Sequence, residues 1–267
     1  MNRPNPLPFS DSHCHLDYFT PATLATDGRR LIDPGDTPAT VLARARRAGV
    51  GRVLALSVGA ANFDAVRACA ALPGVLPAYG LHPLYQSQHR PEDLAALDAL
   101  LPGAVALGEC GLDGDAPDGA GQQEFFRAQI DLARRHDVPL LLHARGALET
   151  VLQLLEQAGP VRFVVHSFTG SDVQLARLLR LGGYVGVGGT CSYERARRLR
   201  RQLATLPADR YLLETDAPDQ PLSDGRGAVN YPETIPRVAA VLAELRGVPL
   251  AQVSAESEAN FSRFFGR

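Results

Sequence analysis

Asp11-Ser12-His13-Cys14-His15 follows the short apolar run Leu7-Pro8-Phe9, so it reads as the end of a first β-strand. Residues two apart on a strand point to the same face. His13 and His15 therefore aim two imidazoles at one spot, and two neutral imidazoles converging on a point are a natural pair of metal ligands. Taken alone, the pair has a bland reading as two histidines on a strand edge. The stretch matters equally for what it is not. An open doubly wound sheet normally carries a glycine-rich phosphate turn after its first strand, and here that turn holds His-x-His.

Apolar runs alternate with amphipathic ones along the rest of the chain. The sequence predicts strands over Phe9–Cys14, Arg52–Ser57, Leu76–Leu81, Ala104–Gly108, Pro139–His143, Arg162–His166, Tyr184–Gly188 and Tyr211–Thr215. Several are apolar throughout, as expected of strands covered on both faces. Between them lie helical patterns. The first starts at Thr37-Pro38, with Thr as cap and Pro in the first turn. Others cover Ala61–Ala71, Glu92–Leu101, Gln122–Arg135, Leu148–Gln157, Asp172–Arg180, Glu194–Leu203 and Pro232–Leu245, with a last helix over Leu250–Phe264. Eight strands, each followed by a helix, predict an α/β fold: a (β/α)8 TIM barrel in a single domain over residues 1–267. The stretch Thr20–Asp36 reads as a loop that could form part of a rim over the site. Asp113–Gly121 reads as a turn-rich loop after the fourth strand.

Composition narrows the chemistry. The chain has 267 residues and a net charge of −2, so no bulk basic field points to nucleic acid. No apolar run approaches membrane-spanning length, and the first residues carry no apolar signal region. The expectation is a cytoplasmic protein, monomeric, with no membrane contact and no obligate protein partner. Its four cysteines are scattered without a C-x-x-C, which argues against a zinc ribbon or redox motif. The sequence contains no lysine. That excludes Schiff-base chemistry, a pyridoxal-phosphate lysine, a P-loop lysine and a metal site bridged by a carboxylated lysine.

Ligand-type residues fall at the carboxyl ends of the predicted strands. The first strand gives His13 and His15, the third His82, the fourth Glu109, the fifth His143, the sixth His166 and the eighth Asp216. Five of the seven histidines sit at such ends, His89 and His136 being the exceptions. In a barrel of this kind the carboxyl face carries the active site, because eight loops converge there. The mixed set suits Zn, Mn or Mg. His13, His15, Glu109, His143, His166 and Asp216 are too many for one open catalytic zinc. They fit two divalent ions bridged by one carboxylate, a pair that clamps attacking and leaving oxygens. With no lysine available, Glu109 is the expected bridge.

These blocks carry a family likeness. Asp11-Ser-His-Cys-His15, Gly80-Leu-His-Pro83, Gly108-Glu-Cys-Gly-Leu-Asp113, His143-Ala-Arg145, His166-Ser-Phe-Thr-Gly170 and Glu214-Thr-Asp-Ala-Pro218 resemble the signature blocks of the TatD family of metal-dependent hydrolases and deoxyribonucleases. Gly186-Val-Gly-Gly-Thr190 with Tyr193, and Asp216–Pro221, resemble most closely its YjjV-like branch. The resemblance implies a barrel hydrolase with two or more divalent ions. It implies that His13, His15, Glu109 and Asp216 hold one metal and that Glu109, His143 and His166 hold the other. It also implies DNA as substrate, single-stranded or at 3′ ends, cleaved as by a 3′-5′ exonuclease. One departure is visible. The family often carries an aromatic pair after the Gly-Leu-Asp of the third block, and Gly114-Asp115 stands here.

The remaining assignments follow from position. Asp216 and Glu109 are the expected catalytic carboxylates, Asp216 as the base that helps deprotonate water. His82 and Arg145 are expected to bind substrate, His82 by touching a phosphate, with a hydrogen bond within its own loop as the alternative, and Arg145 through a guanidinium fork suited to phosphate. An ion pair with a nearby carboxylate is the plain alternative for Arg145. Asp11 either orients a histidine or caps a turn. Cys14 and Cys110 flank ligands but should face away from them, into the core. Glu194–Arg201 is the densest basic stretch, either a solvated helix face or a guide for a nucleic-acid backbone. Two other functions fit the same ligands. One is a two-metal amidohydrolase-type enzyme cleaving an amide, lactone or cyclic imide. The other is a non-catalytic metal-binding scaffold, which has no need to keep six ligands.

Overall fold

The structure is a computed structural model and describes residues 6–20, 32, 33 and 35–266. Eight parallel strands follow one another around a single sheet in chain order. They are β1 (Phe9–Cys14), β2 (Val50–Leu56), β3 (Val75–Tyr79), β4 (Ala106–Gly111), β5 (Leu140–His143), β6 (Phe163–Val165), β7 (Tyr184–Val187) and β8 (Tyr211–Leu213). Helices alternate with them: α1 (Pro38–Arg47), α2 (Phe63–Ala70), α3 (Pro91–Leu100), α4 (Gly119–Arg135), α5 (Leu148–Ala158), α6 (Asp172–Arg180), α7 (Arg197–Ala204) and α8 (Ile235–Arg246), then α9 (Leu250–Phe265). This is the expected (β/α)8 TIM barrel. Most of the rim loop expected at residues 20–36 lies outside the described residues.

The period-two alternation of the strands sorts side chains into two cores. Leu54, Leu56, Ala78, Ala106, Leu141, Val164 and Leu212 fill the barrel, and Phe261 and Phe264 of α9 join them. The intervening residues, such as Val53, Ala55, Leu140, Leu142, Phe163 and Leu213, face the helices. Each fully buried aliphatic side chain contributes about 1.5–3 kcal/mol. Truncating Leu141 to Ala, with no exposed surface to collapse from, would cost roughly 2–5 kcal/mol. A ring of apolar layers below leaves the upper mouth free for polar residues.

Local chemistry sets the element ends. Thr37 and Thr40 exchange side-chain and backbone bonds at the start of α1, with Pro38 in its first turn. Ser171 and Gln174 do the same for α6. Helix α4 begins three residues before the expected Gln122 because Asp118, at φ 58°, accepts from Gly121 N. Strand β3 stops at Tyr79 rather than Leu81 because side chains take over its ladder. Gly80 N donates to Ser57 Oγ at 2.9 Å, and Gln129 satisfies both Leu81 N and Leu81 O. A Cβ on Gly80 would lie 2.6 Å from Glu109 O, so glycine here lets β4 approach closely and sets the height of Glu109.

The barrel closes between β8 and β1. Asp216 N donates to His13 O at 2.9 Å, His15 N donates to Ala217 O at 2.8 Å, and Cys14 bridges Ala217. The fully buried Asp11 carboxylate adds three bonds at this seam. It accepts from Thr215 N (3.0 Å), Thr215 Oγ1 (2.6 Å) and His13 N (3.2 Å). Burial pushes its pKa up to about 7 against the lowering effect of these donors. Asp11 therefore neither grips an imidazole nor caps a surface turn; it ties two ligand-bearing strands together. Among the described residues no single helix is long and apolar enough to cross a membrane.

Candidate metal centre and active site

Every proposed ligand projects from the carboxyl end of its strand into one buried cluster. His13, His15, Glu109, His166 and Asp216 are all buried, as is His82; His143 is partly so. Glu109 is at the centre, and its two oxygens face two different groups. Oε2 lies 3.2 Å from His13 Nε2 and 3.5 Å from His15 Nε2. Oε1 lies 3.1 Å from His143 Nδ1 and 3.2 Å from His82 Nε2. Asp216 Oδ1 lies 3.3 Å from His13 Nε2 and 3.4 Å from His15 Nε2, and its Oδ2 lies 3.5 Å from His166 Nε2. The His166 ring stacks on His13 at 3.8 Å between centroids.

Among the described residues three overlapping sets have ligand atoms within 4.8 Å of one another: His13-His15-Asp216, His13-Glu109-His166 and His82-Glu109-His143. The donor chemistry fits divalent cations. Among the described residues His13 Nε2, buried among carboxylate oxygens, has no hydrogen-bond partner, the condition of a ligand atom aimed at an ion. Electrostatics agrees. Burial disfavours protonated imidazoles, but Asp216 and Glu109 outweigh it at His15, and Glu214 and Asp216 do so at His166. Both are raised well above the usual imidazole value, and His13 is raised less. Burial would raise Glu109 and Asp216, but His82 and His13 beside the first, and His166, His13 and His15 beside the second, hold both well below the carboxylate range. The cluster thus attracts positive charge, and a bound cation would take the place of those protons. His82 goes the other way: burial, with His143 and His15 nearby, lowers it despite Glu109.

Two carboxylates stand behind the ligands and were not singled out from the sequence. Asp113 Oδ2 lies 2.8 Å from His143 Nε2, leaving Nδ1 turned towards Glu109. Glu214 Oε1 lies 3.0 Å from His166 Nδ1 and accepts from Ser167 N at 2.7 Å. Such partners fix the orientation and basicity of a ligating imidazole. Gly186 makes room for one of them, since a Cβ there would sit 2.3 Å from Glu214 Oε2. Gln220 is a third. Its Nε2 donates to Asp216 Oδ2 at 2.6 Å and lies 3.4 Å from His166 Nε2. Ser167, Asp216 and Gln220 all have left-handed backbones, with φ of 47°, 59° and 50°. Such a concentration of sparsely populated conformations marks a place where the fold holds side chains against local preference.

The expected substrate contacts fall differently. His82, expected to touch substrate, lies inside the ligand cluster, 3.2 Å from both Glu109 and His143. Its Nδ1 accepts from Leu84 N, which turns Nε2 inwards. Arg145 lies at the mouth, beside a cavity of about 520 Å³ that it shares with His143 and His166. It is largely exposed and lies 3.0 Å from Asp115, the ion pair that was its plain alternative. Cys14 and Cys110 face away from the site, their Sγ atoms 3.7 Å and 3.8 Å from the carbonyl oxygens of Ala217 and Leu141.

With this geometry in hand, the likenesses to known proteins carry weight. The family profile described as TatD related DNase matches residues 10–266. The chain is 40% identical over 254 residues to the uncharacterized metal-dependent hydrolase YjjV of Escherichia coli K12, covering 92% of this chain and 93% of that one. It is 35% identical over 241 residues to the 3'-5' ssDNA/RNA exonuclease TatD of Klebsiella pneumoniae, covering 85% and 90%. The crystal structure of the Escherichia coli K12 YjjV protein superposes with a TM-score of 0.87 at 37% identity, over 97% of this chain and 98% of that one. The barrel, the convergent His and carboxylate side chains and these matches lead to one conclusion: the chain belongs to the TatD family and is a metal-dependent hydrolase.

Proposed function

We propose that this hydrolase cleaves phosphodiester bonds, acting as a DNA 3′-5′ exonuclease on single strands or 3′ ends. The observation that carries the reading is Glu109, whose two oxygens address two ligand groups on opposite sides. This is the arrangement a displacement at phosphorus calls for, where attacking and leaving oxygens both develop charge. The name of the Klebsiella relative, an exonuclease, supports the substrate class.

His13, His15, Glu109 and Asp216 would hold one divalent ion, and Glu109, His143 and His166 the other, with His82 completing the Glu109 Oε1 side. Zn, Mn and Mg all suit these donors. Bound there, the ions would supply Lewis-acid stabilisation of charge on the phosphoryl oxygens and acidify the attacking water. Asp216 takes up the proton of that water. Beside a bound cation it would be ionised, and it is aimed by the bond from Gln220. The oxygen–phosphorus bond forms as the bond from phosphorus to the 3′ oxygen of the remaining strand breaks, and that leaving alkoxide takes a proton from solvent water. Arg145 reaches a substrate phosphate by leaving Asp115. That exposed pair is worth at most about 1 kcal/mol, so the exchange costs little. In this reading the enzyme works in the cytoplasm as a monomer.

The competing reading keeps the ligands and changes the bond to an amide, lactone or cyclic imide. The neutralisation of Arg145 by Asp115 favours it, because a phosphate site normally keeps its arginine free. Turnover of labelled single-stranded DNA, measured beside a panel of amides and lactones with Mg, Mn and Zn in turn, decides between them. Faster turnover of DNA is expected; hydrolysis confined to the small molecules would overturn the proposal.

A further inference from the structure

We propose that a second cavity at the barrel mouth, between the loop after β6 and the segment entering α7, is a strand-binding subsite. It would take single-stranded nucleic acid on the 5′ side of the scissile bond. The inference rests on the phosphodiesterase reading for its orientation, and on the following observations for its existence. The cavity measures about 590 Å³ and is lined by Thr169, Tyr193, Arg195, Arg197, Arg198 and Pro221, among others.

The cavity is continuous with the ligand cluster. Thr169 and Gln220 line it and also line the neighbouring cavity that opens on His143 and His166. Gln220 is bonded to Asp216, so a strand with one phosphate over the cluster passes directly from Gln220 into this space.

Charge points the same way. Residues 194–201 hold five arginines against one acid, Glu194, in a chain whose net charge is −2. Among the described residues only Arg201 of the five has a carboxylate partner, Asp172 at 2.6 Å. Arg198 and Arg200 donate to the carbonyls of Thr169 and Cys191, which leaves their charge uncancelled. Among the described residues no ion pair forms at Arg195 or Arg197, and both are exposed. Elsewhere Arg145, Arg177 and Arg237 lie against an acid, whereas among the described residues Arg127 and Arg134 of α4 form no ion pair, so what sets this stretch apart is the crowding of five arginines beside one cavity.

A solvated helix face is the bland account of such a run, and the helix geometry speaks against it. Arg197 and Arg198 occupy the first turn of α7, where the helix dipole disfavours cations, and no side chain caps that end. Their placement costs the helix stability, which is intelligible if an anion sits before them. Arg195 lies outside the helix with its guanidinium 5.2 Å from the ring centre of Tyr193. The Tyr193 hydroxyl donates to Pro221 O at 3.2 Å and fixes the ring. A tyrosine face and a guanidinium plane beside uncancelled arginines are the parts a single strand uses, stacking for bases and charge for phosphates.

The test measures affinity of the metal-loaded enzyme for a short fluorescent oligothymidylate with hydrolysis-resistant phosphorothioate linkages, by anisotropy across a salt series. Arg195→Gln/Arg197→Gln should weaken binding roughly tenfold at low salt. It should also reduce the slope of log affinity against log salt by about 1.4, about 0.7 per lost phosphate contact. Arg127→Gln/Arg134→Gln, exposed on α4, removes the same charge and should change neither. Equal effects in the two double variants, or no binding by the unaltered enzyme, would overturn the subsite. Hydrolysis of an unmodified oligothymidylate is followed in parallel. Robust hydrolysis with unaltered binding in the Arg195/Arg197 variant sinks the subsite alone. Selective loss of binding with no phosphodiester turnover supports the subsite and sinks the nuclease reading.

Discussion

Replacing Asp11 probes the joint between the barrel and its site. Its carboxylate accepts from Thr215 N, Thr215 Oγ1 and His13 N, all within a fully buried seam. Asp11→Ala strands two buried backbone N–H groups. The Thr215 hydroxyl is the lesser loss, because His13 O lies 3.5 Å away as an alternative acceptor. At about 1–3 kcal/mol for each stranded donor, the cost is roughly 2–6 kcal/mol, a large part of the stability of a typical domain. Asp11→Asn behaves differently. The amide oxygen keeps both backbone bonds, the isosteric side chain leaves no cavity, and a charge that burial disfavours is gone. Its cost should stay within about 1 kcal/mol, one ordinary hydrogen bond. Urea unfolding of the three proteins, with divalent-ion affinity measured on the same preparations, is the assay. The alanine variant should also bind metal more weakly, since His13, His15 and Asp216 are set by this seam. An alanine variant as stable as the parent, or an asparagine variant as damaged as the alanine one, would refute the reasoning.

Four further outcomes are expected. Glu109→Ala should remove ions from both sides of the cluster, read by elemental analysis, whereas loss from one side only would show that Glu109 does not bridge. Asp216→Asn should keep the fold and much of the metal, because the amide oxygen can still coordinate, yet lower kcat by roughly two to four orders of magnitude; near-normal turnover with metal present would remove Asp216 as the base. Glu214→Gln should weaken metal binding by about 10–100-fold through loss of the His166 Nδ1 partner, an effect that metal titration would detect. Glu256 pairs with Arg246 and Tyr211, and although burial raises its pKa, the Arg246 bond leaves it lowered overall. Its contribution is therefore present above the unfolded value near 4.5 and lost as pH falls through the lower folded value. Glu256→Gln should cost about 1 kcal/mol at neutral pH and less in acid, as pH-dependent urea curves would show.

The parts of this architecture legible in the sequence are those governed by periodicity. Strand β1 ends where Asp11–His15 placed it, and α6 spans the expected residues, because its cap and its apolar stripe agree. Errors collect where side chains replace backbone pairing, as Ser57 and Gln129 do beyond β3. The ligands were legible because strand ends in a barrel converge. Asp113 lies four residues after Glu109 and two beyond the end of β4, in a stretch whose Gly, Asp and Pro content reads as a turn. The site roles of Glu214 and Gln220 were harder to read. The first depends on the space left by Gly186 on a neighbouring strand, and the second on a left-handed turn that no local propensity announces. The Arg145–Asp115 pair joins loops after two different strands and has no signature in either.

The seam also explains why the site lies where the barrel closes. Seven of the eight strand pairs are joined by parallel ladders, with register irregularities in β1–β2 and β4–β5. The eighth joins the three-residue β8 to β1 by backbone bonds at the carboxyl end, through His13, His15, Asp216 and Ala217. Three of those residues are candidate ligands, so the peptide groups that complete the barrel belong to the side chains that address the cation. Carboxylates and imidazoles this close together would repel or neutralise one another in a soft framework. Here Asp11 fixes the ends of β1 and β8 from behind the ligands. A bound ion and a closed barrel should therefore stabilise each other: metal should raise the unfolding midpoint, and anything that loosens the seam should weaken metal binding by the same coupling.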